Sequence, residues 1–329
     1  MQSFEWVDVT SVEEAAALLA ATSAHAPVIA KAGGMDLLDL MKEGIVRPAR
    51  VVNLKRIRSL GELQLDNTGL RLGALMTLTQ IERDAGIRSH YRALAEAASH
   101  AATPQVRNAA TIGGNLLQRP RCWYLRNDHF HRVAPSDPKV DPKVDHAEHQ
   151  HHAIFDNQQT AIVHASTLAT ALVAYDATVH LTSNEGSSRA VALQDFLLPP
   201  SMERDRDTLI ADGEILTRVS VPPIQANTRC AYHKQTERDS YDWPICDVAV
   251  VLQMNGDTVT AAKIVLGWVA PTPRRAMEAE ELLVGRKLDE RAATEAAAVA
   301  VRSATPLVKN AYKVDVLRAV IKRTLLAAT

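Results

Sequence analysis

Gly33-Gly34 and Gly113-Gly114 are the residues of this chain best suited to hold a ligand through the main chain. Consecutive glycines allow positive φ and let a ligand approach the backbone without meeting a Cβ. Successive amide N–H groups in such a turn form a concavity that holds an anion. The second pair lies between Thr111 and Asn115, inside the stretch from Thr103 to Arg126. That stretch also carries Arg107, Arg119, Arg121 and Arg126, so its surroundings favour negative charge. The first pair belongs to Ala32-Gly33-Gly34-Met35-Asp36-Leu37, after the apolar run Val28–Ala30 and before a helix expected over Leu37–Lys42. Strand, glycine loop and helix in that order draw phosphate to free N–H groups at a helix start. A single Gly-Gly loop is usually a plain turn; two such loops point to one extended, phosphate-bearing ligand held between them. Neither loop has the Gly-x-Gly-x-x-Gly pattern of a nicotinamide site. No Ser-His-Asp set or carboxylate pair demands hydrolysis.

The elements that must position these loops are strands and helices in alternation. Phe4–Val9 alternates as a strand does, and Ser11 to Glu14 has capping-box spacing for a helix ending near Ser23. Arg50–Asn53 is a further strand, and a small α+β unit over residues 1–57 follows. A second unit, 58–223, opens with Glu62–Asp66 and Leu70–Gly73 around the hairpin turn Asn67-Thr68-Gly69. Helices are expected over Thr77–Ala85 and Tyr91–Ala102. After Ala161–Ser166 comes a helix to Asp176, then strands Thr178–Thr182, Arg189–Ala192 and Ile215–Val221. Pro222-Pro223 punctuates the chain, and 224–329 begins with strands and finishes in helices, Tyr312–Leu326 being the clearest.

Composition bounds the rest. A chain of 329 residues with 47% apolar content suffices for two or three packed domains. A net charge of −1 with scattered basic residues gives no reason to expect nucleic acid. No run approaches the ~20 apolar residues that span a bilayer, and no basic, then apolar leader opens the chain. Three cysteines, Cys122, Cys230 and Cys246, are too scattered for a disulfide scaffold. A soluble, cytoplasmic protein is the expectation.

The ordered pair Ala-Gly-Gly-x-Asp-Leu-Leu near residue 35 and Gln-Val-Arg-Asn-x-Ala-Thr-Ile-Gly-Gly-Asn-Leu from Gln105 resembles the FAD-binding, or medium, subunit of the molybdenum hydroxylases. The likeness covers essentially the whole chain. It implies an α+β architecture with the FAD-binding fold of the vanillyl-alcohol-oxidase and CO-dehydrogenase flavoprotein type, in two parts, followed by a C-terminal α+β domain. It implies FAD held by Ala32, Gly33, Gly34, Met35, Asp36 and Leu37 of the first loop. Thr103, Asn108, Thr111, Gly113, Gly114 and Asn115 would serve from the second stretch, with Ser166 and Thr167, and Lys234 and Tyr241 further on. The resemblance also implies a role: electrons leave a molybdenum centre, cross two [2Fe-2S] clusters of a partner, reach FAD and pass to an acceptor. The ferredoxin-like small subunit and the molybdopterin-binding large subunit would be separate chains, and export with one of them would place this chain in the periplasm. Gly267, Pro271 and Pro273 within Leu266–Arg275 match the family's turn at a strand end and support the fold alone.

The chain departs from the family pattern in three places. Where relatives often have His-Pro-Ser-Asp, it reads His164-Ala165-Ser166-Thr167, so Thr167 replaces a charge near the ribityl and ring region with a hydroxyl. Ser166 reads equally well as a helix cap. Some family members hold an extra iron–sulfur cluster on four cysteines; only Cys122 matches, and Thr160 stands where another is common. A cluster needs a full set of thiolates, so none is expected. Between 127 and 159 lies a polar insertion in which Asp-Pro-Lys-Val occurs twice, followed by His146, His149, His151 and His152. Its spacing fits no metal motif. In Tyr232–Trp243, Thr236 replaces an arginine of the family's segment, while Lys234 or Tyr241 remains for the flavin's edge. Two other classes stay open: a flavin-free structural homologue and a stand-alone FAD oxidoreductase. Trp123 and Tyr124 suit either a partner interface or the chain's own core.

Overall fold

The computed structural model describes residues 2–126, 148–158, 161–199, 206–239 and 241–328. Most of the polar insertion, with its Asp-Pro-Lys-Val repeat, His131 and His146, lies outside the described residues, as does Thr160.

Three sheets organise the chain. The first is parallel, in the order β1 (Glu5–Asp8), β3 (Arg50–Asn53), β2 (Val28–Lys31), with α1 (Val12–Ala20) and α2 (Leu37–Lys42) as connections. Ser11 caps α1 by accepting from Glu14 N–H, and Glu14 returns a carboxylate to Thr10 N–H. The second sheet is antiparallel, in the order β4 (Leu63–Asp66), β5 (Gly69–Gly73), β8 (Ile215–Val221), β6 (Thr178–Thr182), β7 (Ser188–Ala192).

Between β5 and β6 the chain runs through α3 (Leu78–Arg83), α4 (Ala85–His90), α5 (Arg92–Ser99), α6 (Pro104–Ala109), α7 (Ile112–Leu116) and α8 (Trp123–Arg126) to α9 (Thr167–Ala174). The stretch read as a loop is therefore three short helices. Thr103 caps α6 with Pro104 at its first turn, and Thr111 caps α7. Ala161–Ser166 forms no strand. A short helix α10 (Leu193–Phe196) follows β7.

The third sheet has the order β12 (Arg274–Arg275), β11 (Thr258–Gly267), β10 (Pro244–Asn255), β9 (Thr228–Thr236), all antiparallel. One of its faces carries α11 (Met277–Leu283), α12 (Glu290–Ala300) and α13 (Tyr312–Ala327). The other receives α5 and α9. Burial on both faces explains why β10 is apolar almost throughout and does not alternate. Helix α9 explains how the parts cohere. All its residues are buried, because it is covered by α5 and α7 on one side and by β10 and β11 on the other. Among the described residues no helix is long and apolar enough to cross a membrane.

Candidate functional site

A cleft of about 1000 Å³ runs between the first sheet, the α6–α7 region and the rim of the third sheet. That volume lies at the upper end of the range for small-molecule and cofactor sites. Both glycine loops line it, and the first packs against the end of α6. A Cβ at Gly33 would lie 2.1 Å from the carbonyl oxygen of Ala109, so only glycine permits this close approach of the loop to α6. Gly34 turns with φ +82, the left-handed region that glycine adopts without strain.

The two loops differ in what their amides are free to do. In the second, Ile112 N–H donates to Met76 O and Gly113 N–H to Ala74 O, both at 2.9 Å. Gly114 N–H donates to Thr111 Oγ1 at 3.2 Å. These bonds hold α7 in place and engage those N–H groups within the protein. In the first loop, the N–H groups of Gly33, Gly34, Met35 and Asp36 meet no acceptor among the described residues. The N–H groups without an acceptor among the described residues are therefore those of the first loop, and the second forms part of the cleft wall. At Gly114 a Cβ would meet Thr111 Oγ1 at a tight 3.2 Å.

The arginines do not leave the surroundings positive, as their number suggested. Arg121 and Arg126 reach Asp36 at 2.9 and 2.6 Å, and Arg126 also reaches Asp39 at 3.1 Å. Arg119 pairs with Asp207 at 2.6 Å, and Arg107 with Glu82 at 2.9 Å. The carboxylate of Asp36 further accepts Arg119 N–H at 2.9 Å. Asp36 thus ties the first loop to the segment after α7. The partners sit on distant segments, which sequence spacing does not reveal.

Of the other predicted residues, Ala32, Met35, Leu37, Thr103, Thr111, Asn115, Thr167, Lys234 and Tyr241 also line the cleft. Asn108 does not; it is exposed and accepts from Thr79 Oγ1 at 2.8 Å. Nor does Ser166, which caps α9 at Ala169 N–H and donates to Asn115 Oδ1 at 2.6 Å. Its part is to orient Asn115. Lys234 donates to His100 O at 2.8 Å, and burial pulls its ammonium below the ordinary lysine range. Tyr241 is 62% exposed at the mouth.

Sequence reasoning missed the rest of that mouth. Trp243 and Trp268 pack with ring centroids 5.5 Å apart, and Arg121 lies over Trp243 at 5.0 Å. Trp268 belongs to the turn read as fold support alone, and it has φ +60. The segment from Arg206 to Leu216 forms another stretch of wall and carries no chemical motif that would have marked it. Beyond the cleft, Cys122 Sγ lies 3.4 Å from His152 Nε2. Trp123 is 59% exposed, so the core reading fails for it; Tyr124 is half-buried against His152 and accepts Glu148 N–H at 2.8 Å.

Residues 2–224 match the family model described as the FAD binding domain in molybdopterin dehydrogenase, and residues 231–328 match the CO dehydrogenase flavoprotein C-terminal domain. The chain is 32% identical to the aldehyde oxidoreductase FAD-binding subunit PaoB of Escherichia coli over 286 residues, 86% of each chain. It is 28% identical to the carbon monoxide dehydrogenase medium chain of Hydrogenophaga pseudoflava over 329 residues, covering 99% of this chain and 96% of that one. A solved structure of carbon monoxide dehydrogenase from Hydrogenophaga pseudoflava superimposes with a TM-score of 0.76 at 27% identity, covering 99% and 97% of the two chains.

Proposed function

The chain belongs to the FAD-binding medium subunits of the molybdenum hydroxylases, oxidoreductase subunits with FAD as cofactor, and from that premise we propose that it is the electron-transfer subunit of a molybdenum-containing dehydrogenase. In this reading it works between the [2Fe-2S] clusters of a ferredoxin-like small subunit and an external acceptor, beside a molybdopterin-binding large subunit. FAD, when bound, supplies the exchange between one-electron and two-electron carriers.

The observation that carries the reading is the division of labour between the two loops. The amides of Gly33–Asp36, which line the cleft, have no acceptor among the described residues, which suits a diphosphate. Gly113, Gly114 and Asn115 continue the wall beside them, and Thr167 and Lys234 lie further along it. Apolar side chains such as Val28, Leu54 and Leu75 line other parts of the cleft, as a cofactor site requires. The Lys234 ammonium, which lines the cleft, would favour electron density on a ring bound beside it.

The mouth supports the partner half of the proposal. Tyr241 and Trp243, 62% and 55% exposed, stand at the rim, and Trp123 follows Arg121 of the same wall. Exposed tryptophan and tyrosine beside arginine are the types enriched where proteins dock. Relatives whose printed names read "medium chain" fit a chain that works with others.

Purified protein is expected to show the two visible absorption bands of flavin and to release one FAD per chain on denaturation. A colourless, correctly folded protein that takes up no added FAD would contradict the proposal and favour a flavin-free homologue.

A further inference from the structure

The cleft wall holds a cation that no sequence motif marks. Lys31 is the last residue of β2, directly before the first glycine loop, and it lines the cleft. It pairs in register with Asn53 of β3, which pairs in turn with Asp8 of β1. Such neighbours project to one face of a sheet, and Trp6, two residues before Asp8, projects to the same face. The Lys31 side chain extends across that face, and its ammonium lies 5.2 Å from the centre of the Trp6 ring. On the way its stem passes the first loop. A Cβ at Gly34 would fall 2.9 Å from Lys31 Cε. The ammonium is one bond beyond that carbon, beside the loop whose N–H groups have no acceptor among the described residues.

The other cations of the cleft are engaged. Arg119 pairs with Asp207 and Arg121 with Asp36. Arg206 donates to Ile210 O at 3.0 Å, and Lys234 to His100 O at 2.8 Å. The Lys31 ammonium has neither an ion pair nor a hydrogen bond among the described residues. Asp8, the carboxylate of its own row, is occupied: it accepts from Asn53 Nδ2 at 2.6 Å and from Trp6 Nε1 at 3.3 Å, and Arg56 reaches it at 3.1 Å. Burial and the like charge of Lys55 pull the Lys31 ammonium below the ordinary lysine range, so a counter-charge is what it lacks.

We propose that Lys31 is the counter-charge for the diphosphate of FAD, the residue that adds a full positive charge to the amides of the first loop. Backbone N–H groups give an anion direction and partial charge, but no net charge. An ammonium beside them supplies it, in the stronger, charge-assisted kind of hydrogen bond. Trp6 has a part as well. By holding the ammonium over its ring it limits the side chain's rotamers, so less freedom is lost when the anion arrives.

The inference rests on FAD lying in this cleft. Its test is a titration of FAD into the flavin-depleted, full-length chain at several KCl concentrations, read by flavin fluorescence. Lys31→Met keeps an unbranched stem against Gly34 and removes the charge. It should raise the Kd about tenfold or more at low salt, and the rise of Kd with KCl should be shallower than in wild type. Lys31→Arg should restore both. Lys55→Met removes an exposed neighbouring charge that does not line the cleft and should change little. Lys31→Gln serves in place of Lys31→Met if that chain does not fold. Equal affinity in wild type and the uncharged variant would overturn the inference. So would a weaker affinity with an unchanged salt dependence, which would mark the stem as structural, or an equal loss in Lys55→Met, which would make the effect one of overall charge. Wild type that takes up no FAD at any salt concentration would instead defeat the functional proposal itself.

Discussion

Single residues decide whether the cleft is a site or only a gap. A Cβ at Gly114 would press on Thr111 Oγ1, 3.2 Å away, and on no backbone atom, so Gly114→Val should stay folded once that hydroxyl shifts slightly and should bind FAD much more weakly. Flavin released per chain, alongside an unchanged far-ultraviolet circular dichroism spectrum, checks this. Full occupancy would remove the second loop from the site. Gly33→Ala should behave differently. Its Cβ would be driven against the Ala109 carbonyl 2.1 Å away, so the loop and α6 must separate and stability should drop along with flavin. Overpacking of this kind costs about 1–3 kcal/mol, readable as a lower denaturant midpoint.

At the scale of elements, the clamp on residues 151–157 is the least ordinary feature. Lys313 of α13 is fully buried and donates to the carbonyls of His151, His152 and Trp268 at 3.3, 3.0 and 2.8 Å. Asn310 adds bonds to His152 O and Ala153 O, both at 3.2 Å. The third of the Lys313 carbonyls belongs to a residue of the cleft mouth, so one ammonium fixes both the segment after the insertion and an aromatic wall. Lys313→Met should destabilise by about 1–3 kcal/mol for each carbonyl left without a donor, measured by chemical unfolding. A stability equal to wild type would mean that water replaces the ammonium.

The elements themselves were largely legible. Arg50–Asn53, Leu37–Lys42 and Ile215–Val221 stand where the apolar pattern put them, and the last helix differs by one residue at its end. Thr77 announces α3 with a full capping box, a local signal that needs no tertiary partner. The stretch from Thr103 was misread because the glycine pair outweighed the cap signals at Thr103 and Thr111. Their two short helices are held by bonds to Ala74 and Met76, which no local pattern discloses. The cleft mouth was hidden for the same reason. Trp243 and Trp268 are brought together by the β10–β11 pairing and a left-handed residue, not by their spacing.

Across the whole molecule, buried titratable groups set the response to acid. Burial lowers His152 and His164 each to about 4, so both are neutral in the folded protein at neutral pH. Unfolding frees them to take protons below their ordinary value near 6.5, and their share of stability is lost as pH falls from about 6.5 toward 4. Asp247 acts with the opposite sign: its raised pKa of about 7 means that the folded state takes up the proton first over the same range. Two histidines against one carboxyl leave a net loss worth about one proton, roughly 3 kcal/mol over that window. The thermal midpoint should therefore fall between about pH 6.5 and 4, and more steeply in Asp247→Asn, where the offset is gone. A midpoint indifferent to pH there would contradict the buried, neutral histidines.

We propose that this chain works inside a larger electron-transfer assembly, with its aromatic rim against a partner. Affinity capture of the tagged chain from its native host, under mild conditions and with metal and flavin analysis of the eluate, tests this most directly. The predicted result is FAD on this chain together with a small protein carrying [2Fe-2S] clusters and a large molybdopterin protein. A chain that elutes alone, holding flavin and turning over a small substrate without them, would contradict it.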